Sequence, residues 1–369
     1  MLNRLRWIPV AALLALQGCQ SIGVGSVQRD RLDYGGAIAD SWKEQTLLNI
    51  IKLRYFDTPT FLDVSTVISS YQLQSEVSFG REIFPNAPGD TNRSFGLTGI
   101  YTDRPTISYA PLTGEKFVNS LLRPISPQAI FAMILSGHQA DFILRATVRA
   151  INDVYNHSAS PARARREDPA FARVIAALRR IQQAGALGMR IEARPVAVQG
   201  GRGDRPVTAD TAWIFFRERA DAETAADIAF VRKALDIDPA ARELRLGFGS
   251  LRTGGGEIAL LTRSIMEILV ELSSGVEVPE QHLAEGRARP LQTEPGGRES
   301  HNPYPVARVL AGEAAPADAY VAVRYRNHWF WIDDRDLASK RAFSFLKIFS
   351  SIAETGVVPQ QPVLTIPAN

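Results

Sequence analysis

The sequence contains a single cysteine, which excludes two common kinds of stabilising or catalytic site. With Cys19 alone among 369 residues, the chain can form no internal disulfide and no zinc site built from cysteines. The five histidines show neither an HxH nor an HExxH spacing: His138, His157, His282, His301 and His328. The sequence therefore predicts no metal site and no cofactor.

The motifs of nucleotide-binding and acyl-transfer enzymes are missing as well. Residues 247–252 (GFGSLR) lack the third glycine of a dinucleotide-binding loop, and residues 253–257 (TGGGE) lack the Lys-Ser/Thr pair of a phosphate loop. Ser344 and Lys347 have the SxxK spacing of penicillin-recognising enzymes, but the 22 residues after Lys347 contain neither element that completes that site. We therefore predict no catalytic residue from these motifs and no nucleotide partner.

A strong net charge and a long apolar run are also absent from most of the chain. The net charge is +3, and two of the positive charges, Arg4 and Arg6, lie in an N-terminal export segment. A balance this close to neutral predicts no nucleic-acid partner. No run after Cys19 approaches the roughly 18 consecutive apolar residues that a membrane-spanning helix requires.

The N-terminal residues have the pattern of a bacterial signal peptide. Arg4 and Arg6 precede an apolar run at 7–16, which is too short to span a bilayer but typical of an export signal. The run leads into LQGC at 16–19, which resembles the lipobox of bacterial lipoprotein precursors. The resemblance implies cleavage before Cys19, attachment of diacylglycerol to its sulfur, and often a further acyl chain such as palmitate. Several acyl chains hold a protein stably at a membrane.

The residues after the cysteine indicate the compartment. Gln20 stands where an aspartate would retain a lipoprotein at the inner membrane of enterobacteria. We therefore expect a lipid anchor in the outer membrane, with the folded part facing the periplasm. Residues 20–32 (QSIGVGSVQRDRL) are polar and show no helical period, so they predict a flexible tether.

Two further stretches resemble known sequences. Residues 48–63 (LNIIKLRYFDTPTFLD) and residues 325–334 (YRNHWFWIDD) are similar to uncharacterised Gram-negative lipoproteins. This resemblance implies no activity and no site, but it supports a periplasm-facing location.

Hydrophobic periodicity in the first half predicts a helix, a long β-hairpin and three more helices. The first helix is expected over 37–55 and the last has an apolar face running from Ile143 to Val154. The hairpin follows from two alternating series joined by a proline- and glycine-rich connection: Val67, Tyr71, Leu73, Val77 and Phe79, then Phe95, Leu97, Gly99 and Tyr101. Residues 107–109 predict a third, short strand.

The second half predicts mixed helices and strands, so the fold class is α+β. Helices are expected from Asp168 and over 221–235 and 264–274, and strands near 189–198, 211–216, 243–248 and 257–262. The chain should close with a hairpin, 320–325 against 328–332, and an amphipathic helix. The apolar side of this helix contains Ala342, Phe345, Leu346, Phe349, Ile352 and Ala353, opposite Lys340, Ser344, Lys347 and Ser351.

Composition also predicts where the chain divides. The expected segments are a signal peptide (1–18), a lipidated tether (19–32), an N-terminal α+β region (33–155), an arginine-rich linker (156–167), a C-terminal α+β region (168–355) and a tail (356–369). Within the C-terminal region, residues 276–305 are rich in proline and without period, which predicts a mobile segment.

Four side chains near the C-terminus are the remaining candidates for a site. Trp329 and Trp331 share one face of a strand and could stack on a sugar ring, although such pairs also form hairpin cores. Asp333 and Asp334 could supply the two carboxylates of a glycan hydrolase. They also precede a helix, where acidic residues commonly cap free N–H groups.

These observations lead to one main hypothesis and two alternatives. The main one is a lipid-anchored, non-enzymatic scaffold or docking protein, with the membrane and an envelope protein as partners. One alternative is a peptidoglycan-binding module that uses Trp329 and Trp331. The other is an envelope hydrolase that uses Asp333 and Asp334.

Overall fold

A computed structural model describes most of the chain after the predicted signal peptide. The described residues are 22–68, 71–83, 91–103, 106–160, 165–196, 207–217, 221–249, 254–288 and 306–353. Cys19 and the predicted tail at 356–369 lie outside them. No helix within these ranges is both long enough and apolar enough to cross a membrane.

The chain forms two compact units, and the fold is α+β as predicted. We call the first the body, whose described residues run from 22 to 59 and from 113 to 353. The second, the hairpin unit, comprises residues 60–112.

The hairpin unit consists of two antiparallel ladders of paired strands. Its strands are β1 (Leu62–Ile68), β2 (Tyr71–Ile83), β3 (Thr91–Asp103) and β4 (Thr106–Pro111). β2 pairs with β3 along its whole length, from Tyr71 opposite Asp103 to Ile83 opposite Thr91. This confirms the predicted long hairpin. The strand predicted at 107–109 exists as β4 and pairs with β1.

The body is built on a six-stranded sheet in the order β6-β5-β10-β9-β8-β7. Its strands are β5 (Val148–Ile151), β6 (Val154–Tyr155), β7 (Leu187–Val196), β8 (Val207–Phe216), β9 (Glu243–Phe248) and β10 (Glu257–Thr262). β9 and β10 are parallel and the other neighbours are antiparallel. The four strands predicted between 189 and 262 are thereby confirmed.

Eight of the helices described in the body precede the last strands. They are α1 (Ile22–Arg54), α2 (Gly114–Phe117), α3 (Pro127–Leu135), α4 (Ala140–Thr147), α5 (Pro169–Gln183), α6 (Ala222–Ala234), α7 (Ile265–Ser273) and α8 (Glu280–Ala284). A π-helical turn, Val118–Leu122, follows α2. The helix predicted from Asp168 is confirmed as α5, whose buried side consists of Phe171, Val174, Ile175, Ala177, Leu178 and Ile181.

A three-stranded sheet and a last helix complete the body. The strands β11 (Leu310–Gly312), β12 (Ala319–Tyr325) and β13 (His328–Asp333) form an antiparallel sheet with β13 in the centre. The helix α9 spans Leu337–Ala353. The predicted C-terminal hairpin and helix are therefore confirmed, and α1 packs against β12 and α7.

The predicted tether is wrong for residues 22–32, because α1 begins at Ile22. The segment contains no proline, and the second half of the helix is held by burial of Leu47, Ile50 and Ile51. This packing outweighs the low helix propensity of the interior glycines, which cost about 1 kcal/mol each relative to alanine. Residues 22–32 therefore form the first 11 residues of a helix and extend about 17 Å along its axis.

The predicted boundary at 156–167 is also wrong, since the residues on both sides of it belong to the body. The Asn156 side chain is buried and donates hydrogen bonds to the carbonyl oxygens of Arg145 and Val148 at 2.9 and 2.7 Å. Ser158 pairs with Arg165 in a β-bridge. The polar side chain of Asn156 thus satisfies buried main-chain groups. The chain divides instead at the two ends of the hairpin unit.

Two more predictions need correction. The helix expected to reach Val154 ends at Thr147, and Val148–Ile151 form the buried strand β5. A short apolar run with β-branched residues fits either structure, and pairing with β10 decides it. The segment predicted to be mobile from residue 276 is anchored to the body as far as residue 288: Val276 bridges Val309, and Val276, His282 and Ala288 are buried, although residues 284–287 are exposed. Residues 289–305 lie outside the described residues.

Candidate functional site

The structure places the two candidate tryptophans on the outer face of the three-stranded sheet. Trp329 and Trp331 are half-buried, whereas Phe330 and Ile332 between and after them are fully buried. The core side of β13 is therefore formed by Phe330 and Ile332. Since the tryptophans share the face away from that core, the sugar-binding alternative remains a hypothesis.

The two candidate acids are engaged in local contacts at the end of β13. A carboxylate oxygen of Asp333 accepts a hydrogen bond from the Arg335 amide at 2.8 Å. Asp334 forms an ion pair with Lys340 at 2.5 Å. The acid that caps α9 is Asp336, which accepts from the Ser339 amide at 3.1 Å and from its hydroxyl at 2.6 Å. These contacts favour the capping interpretation, with Asp336 in that role.

The SxxK residues lie on the exposed side of α9. Ser344 and Lys347 are both exposed. The Ser344 hydroxyl is 3.3 Å from the Tyr320 hydroxyl, and the Lys347 ammonium lies 5.1 Å from the centre of the Trp42 ring. Neither contact joins the serine to the lysine, so the spacing forms no nucleophile–base pair here.

Sequence reasoning missed a cluster of titratable side chains in the body. This cluster, which we call the Tyr55 cluster, consists of Tyr55, Asp57, His282, Tyr325, Arg326 and His328. Tyr55 and Asp57 follow α1, and His282 comes from α8. The other three come from the β12–β13 hairpin, whose two-residue turn has positive φ at Arg326 and Asn327. The cluster therefore joins the two stretches whose sequences resemble Gram-negative lipoproteins.

Two hydrogen-bonded groups make up the Tyr55 cluster. The Tyr55 hydroxyl is 2.7 Å from Nδ1 of His282, and the His282 ring packs edge-on against the His328 ring at 4.7 Å. Asp57 accepts a hydrogen bond from the Tyr325 hydroxyl and another from Arg326 at 2.8 Å. The Tyr55 and Tyr325 rings, 5.5 Å apart, connect the two groups.

The protonation states of these groups follow from burial and from charge. Burial raises the pKa of Tyr55 to about 12, so its hydroxyl stays protonated at neutral pH in its hydrogen bond with Nδ1 of His282. Burial, followed by the charge of His328, lowers the pKa of His282 and keeps its ring neutral. The hydrogen bond from Tyr325 is the largest influence that lowers the pKa of Asp57. A protonated phenol and a neutral imidazole held in this way fix α1, α8 and the hairpin together.

A second polar cluster is buried between β10, α7 and the segment after β6. Arg263 and Glu271 are 2% and 5% exposed, and their side chains are 3.5 Å apart. Arg263 donates to the carbonyl oxygens of Arg145, Ala146 and His157. Glu271 accepts from the His157 ring and from the Ala159 amide. Four of these five hydrogen bonds are to main-chain groups, so the ion pair ties main-chain segments together, which is a structural role.

No group of three or more potential metal ligands occurs among the residues with described positions. Comparisons with protein-family models, with curated proteins and with solved structures find no match to this chain. Inference about function therefore depends on the predicted anchor and on the surfaces of the two units.

The hairpin unit presents the clearest candidate interaction surface. Nearly all of β4 is exposed, including Ile107 at 37% and Tyr109 at 53%. Ile100 on β3 is 49% exposed. Each strand pairs with only one other strand within the described residues. Two-stranded ribbons are at best marginally stable in water unless a further strand or surface covers them.

Proposed function

We propose that this protein is a lipid-anchored envelope docking protein whose hairpin unit binds an envelope protein partner. In this proposal, Cys19 carries the lipid, the outer membrane holds the anchor and the folded units face the periplasm. No catalytic residue is part of it.

The exposure of apolar residues on β4 carries this proposal. A strand that exposes Ile107 and Tyr109 buries little apolar surface of its own, so the ribbon gains stability when another chain covers it. An exposed apolar surface of this kind is typical of an interface rather than of a self-contained domain.

Site-specific photocrosslinking in cells tests the docking proposal. A photoreactive amino acid at Ile107 or Tyr109 should give one adduct of defined mass, because both side chains face the partner. Leu337 is a matched control, since it is apolar, 70% exposed and located in the body. The account predicts an adduct from both hairpin positions and none from Leu337. Equal adducts at all three positions, or none at the hairpin positions, would contradict it.

A further inference from the structure

The β2–β3 ribbon has two chemically different faces. Alternate residues of a strand lie on opposite faces, and in this ladder every odd-numbered residue of β2 is registered with an odd-numbered residue of β3. The central pairs on the odd face are uncharged and mostly apolar: Leu73 with Tyr101, Ser75 with Gly99, Val77 with Leu97 and Phe79 with Phe95. The ribbon therefore places an apolar band on one face.

The even face carries polar residues along its whole length, with Ile100 as the exception. Its pairs are Gln72 with Thr102, Gln74 with Ile100, Glu76 with Thr98, Ser78 with Gly96, Gly80 with Ser94 and Glu82 with Asn92. Ser78 and Thr98, at the middle of the band, are exposed. Over the stretch of the ribbon where the odd face is apolar, the even face is therefore suited to contact water.

Charged positions mark both ends of the apolar band. On the odd face, Asp103 is registered with Tyr71 at one end, and Arg81 is registered with Arg93 at the other. Residues 72–80 lie between these limits, close to the roughly 9–11 residues with which a tilted strand crosses the hydrocarbon of a bilayer. Like charges directly opposite each other are unfavourable in a sheet, so the two arginines favour an anionic surface such as lipid phosphates.

From these features we infer that the odd face of the β2–β3 ribbon contacts lipid acyl chains. This inference rests on the proposed function in one respect, that the hairpin unit is the element that docks. In addition, the lipid of the membrane that holds the anchor covers the apolar band. Aromatic residues at both ends of the band, Tyr71 and Tyr101 at one and Phe79 and Phe95 at the other, match the interfacial positions that aromatic rings prefer.

The edges of the ribbon determine how it can enter a bilayer. Unpaired main-chain groups cannot face hydrocarbon, so both β2 and β3 need a neighbouring strand at that depth. Other copies of this chain can supply these strands, because β3 of one copy and β2 of the next share the same alternation. The insertion of single, isolated ribbons is thereby excluded.

A cysteine scan of the full-length lipoprotein tests the inference. Once Cys19 is acylated, one cysteine introduced at each position from 72 to 79 is the only free thiol and can carry an environment-sensitive fluorophore. The labelled protein is reconstituted into phosphatidylethanolamine–phosphatidylglycerol vesicles that contain a lipid with a nitroxide on its acyl chain. Odd positions should be quenched several-fold more strongly than even ones. Native electrophoresis of the same samples should show oligomers.

A matched pair of charge variants provides a second measurement. With the fluorophore at position 73, V77R should abolish quenching by the nitroxide lipid, because it places a charge in the band. S78R adds the same charge on the even face and should leave quenching unchanged. Equal effects of the two variants, uniform quenching along the scan, or monomers alone would overturn the inference. Odd positions that are shielded from water but not quenched by lipid would mean that a protein covers the band, which overturns this inference and leaves the docking proposal intact.

Discussion

Replacing Phe349 with alanine should lower the free energy of unfolding by about 3–5 kcal/mol, because it empties a packed position in the core. The Phe349 side chain is 1% exposed and lies in a buried stripe of α9 with Ala342, Phe343 and Leu346. A domain is stable by only about 5–15 kcal/mol, so this loss should be visible as a large drop in the melting temperature. Thermal denaturation of the purified variant measures it.

Ser344→Ala and Lys347→Ala are the matched controls on the exposed side of the same helix. Each side chain has one exposed contact, Ser344 with the Tyr320 hydroxyl and Lys347 with the Trp42 ring. Such contacts contribute only about 0.5–1 kcal/mol at an exposed site, so both variants should melt close to the wild type. A Phe349→Ala protein that melts like the wild type would contradict the packing of α9. Normal stability with loss of a cellular function at Ser344 would instead support an SxxK enzyme.

Replacing Glu271 with alanine should cost a similar amount, about 3–5 kcal/mol, because it leaves Arg263 buried without its carboxylate. The change also removes the acceptor of the His157 ring and of the Ala159 amide. The exposed pair of Arg335 and Asp318, 2.9 Å apart, is a matched control. Exposed ion pairs contribute about 0–1 kcal/mol, so Asp318→Ala should have little effect.

The stability lost in Glu271→Ala should depend on pH. Burial by itself would raise the pKa of Glu271, but the hydrogen bond from His157 and the charge of Arg263 outweigh it and hold this pKa below its usual value. A depressed carboxyl pKa stabilises the folded state above the unfolded pKa of about 4.3, and this contribution disappears as the pH falls through the folded pKa. Melting curves of wild type and variant should therefore converge in acid. A difference that stays constant down to the folded pKa, or no difference at neutral pH, would contradict the account.

Periodic elements of this fold could be predicted from the sequence, because their pattern follows from a single buried face. The α5 helix, the β12–β13 hairpin and the α9 helix are confirmed in this way. Within α9, Phe343 was not among the predicted core positions, although it is fully buried against Trp42 and Tyr320. The buried face of α9 is wider than the stripe predicted from periodicity, so it includes additional core positions such as Phe343.

The sequence could not predict features that depend on tertiary pairing. Val148–Ile151 forms a strand because β10 lies beside it, and Asn156 is buried because its side chain bonds to two main-chain carbonyl groups. The Tyr55 cluster joins residues more than two hundred positions apart, such as Tyr55 and His282. Its only trace in the sequence was the resemblance of residues 48–63 and 325–334 to other lipoproteins. Candidate sites that fall in one short segment, such as Trp329 with Trp331, were therefore easier to propose.

The central claim, a lipid-anchored docking protein, is tested most directly at Cys19. Cells that express the wild-type chain or Cys19→Ala are grown with a fatty-acid analogue, and its incorporation into the protein is measured after membrane fractionation. The account predicts that the wild type is labelled and found in the outer membrane, and that Cys19→Ala is unlabelled and either soluble or uncleaved. A Cys19→Ala protein that is labelled and fractionates like the wild type would contradict the account.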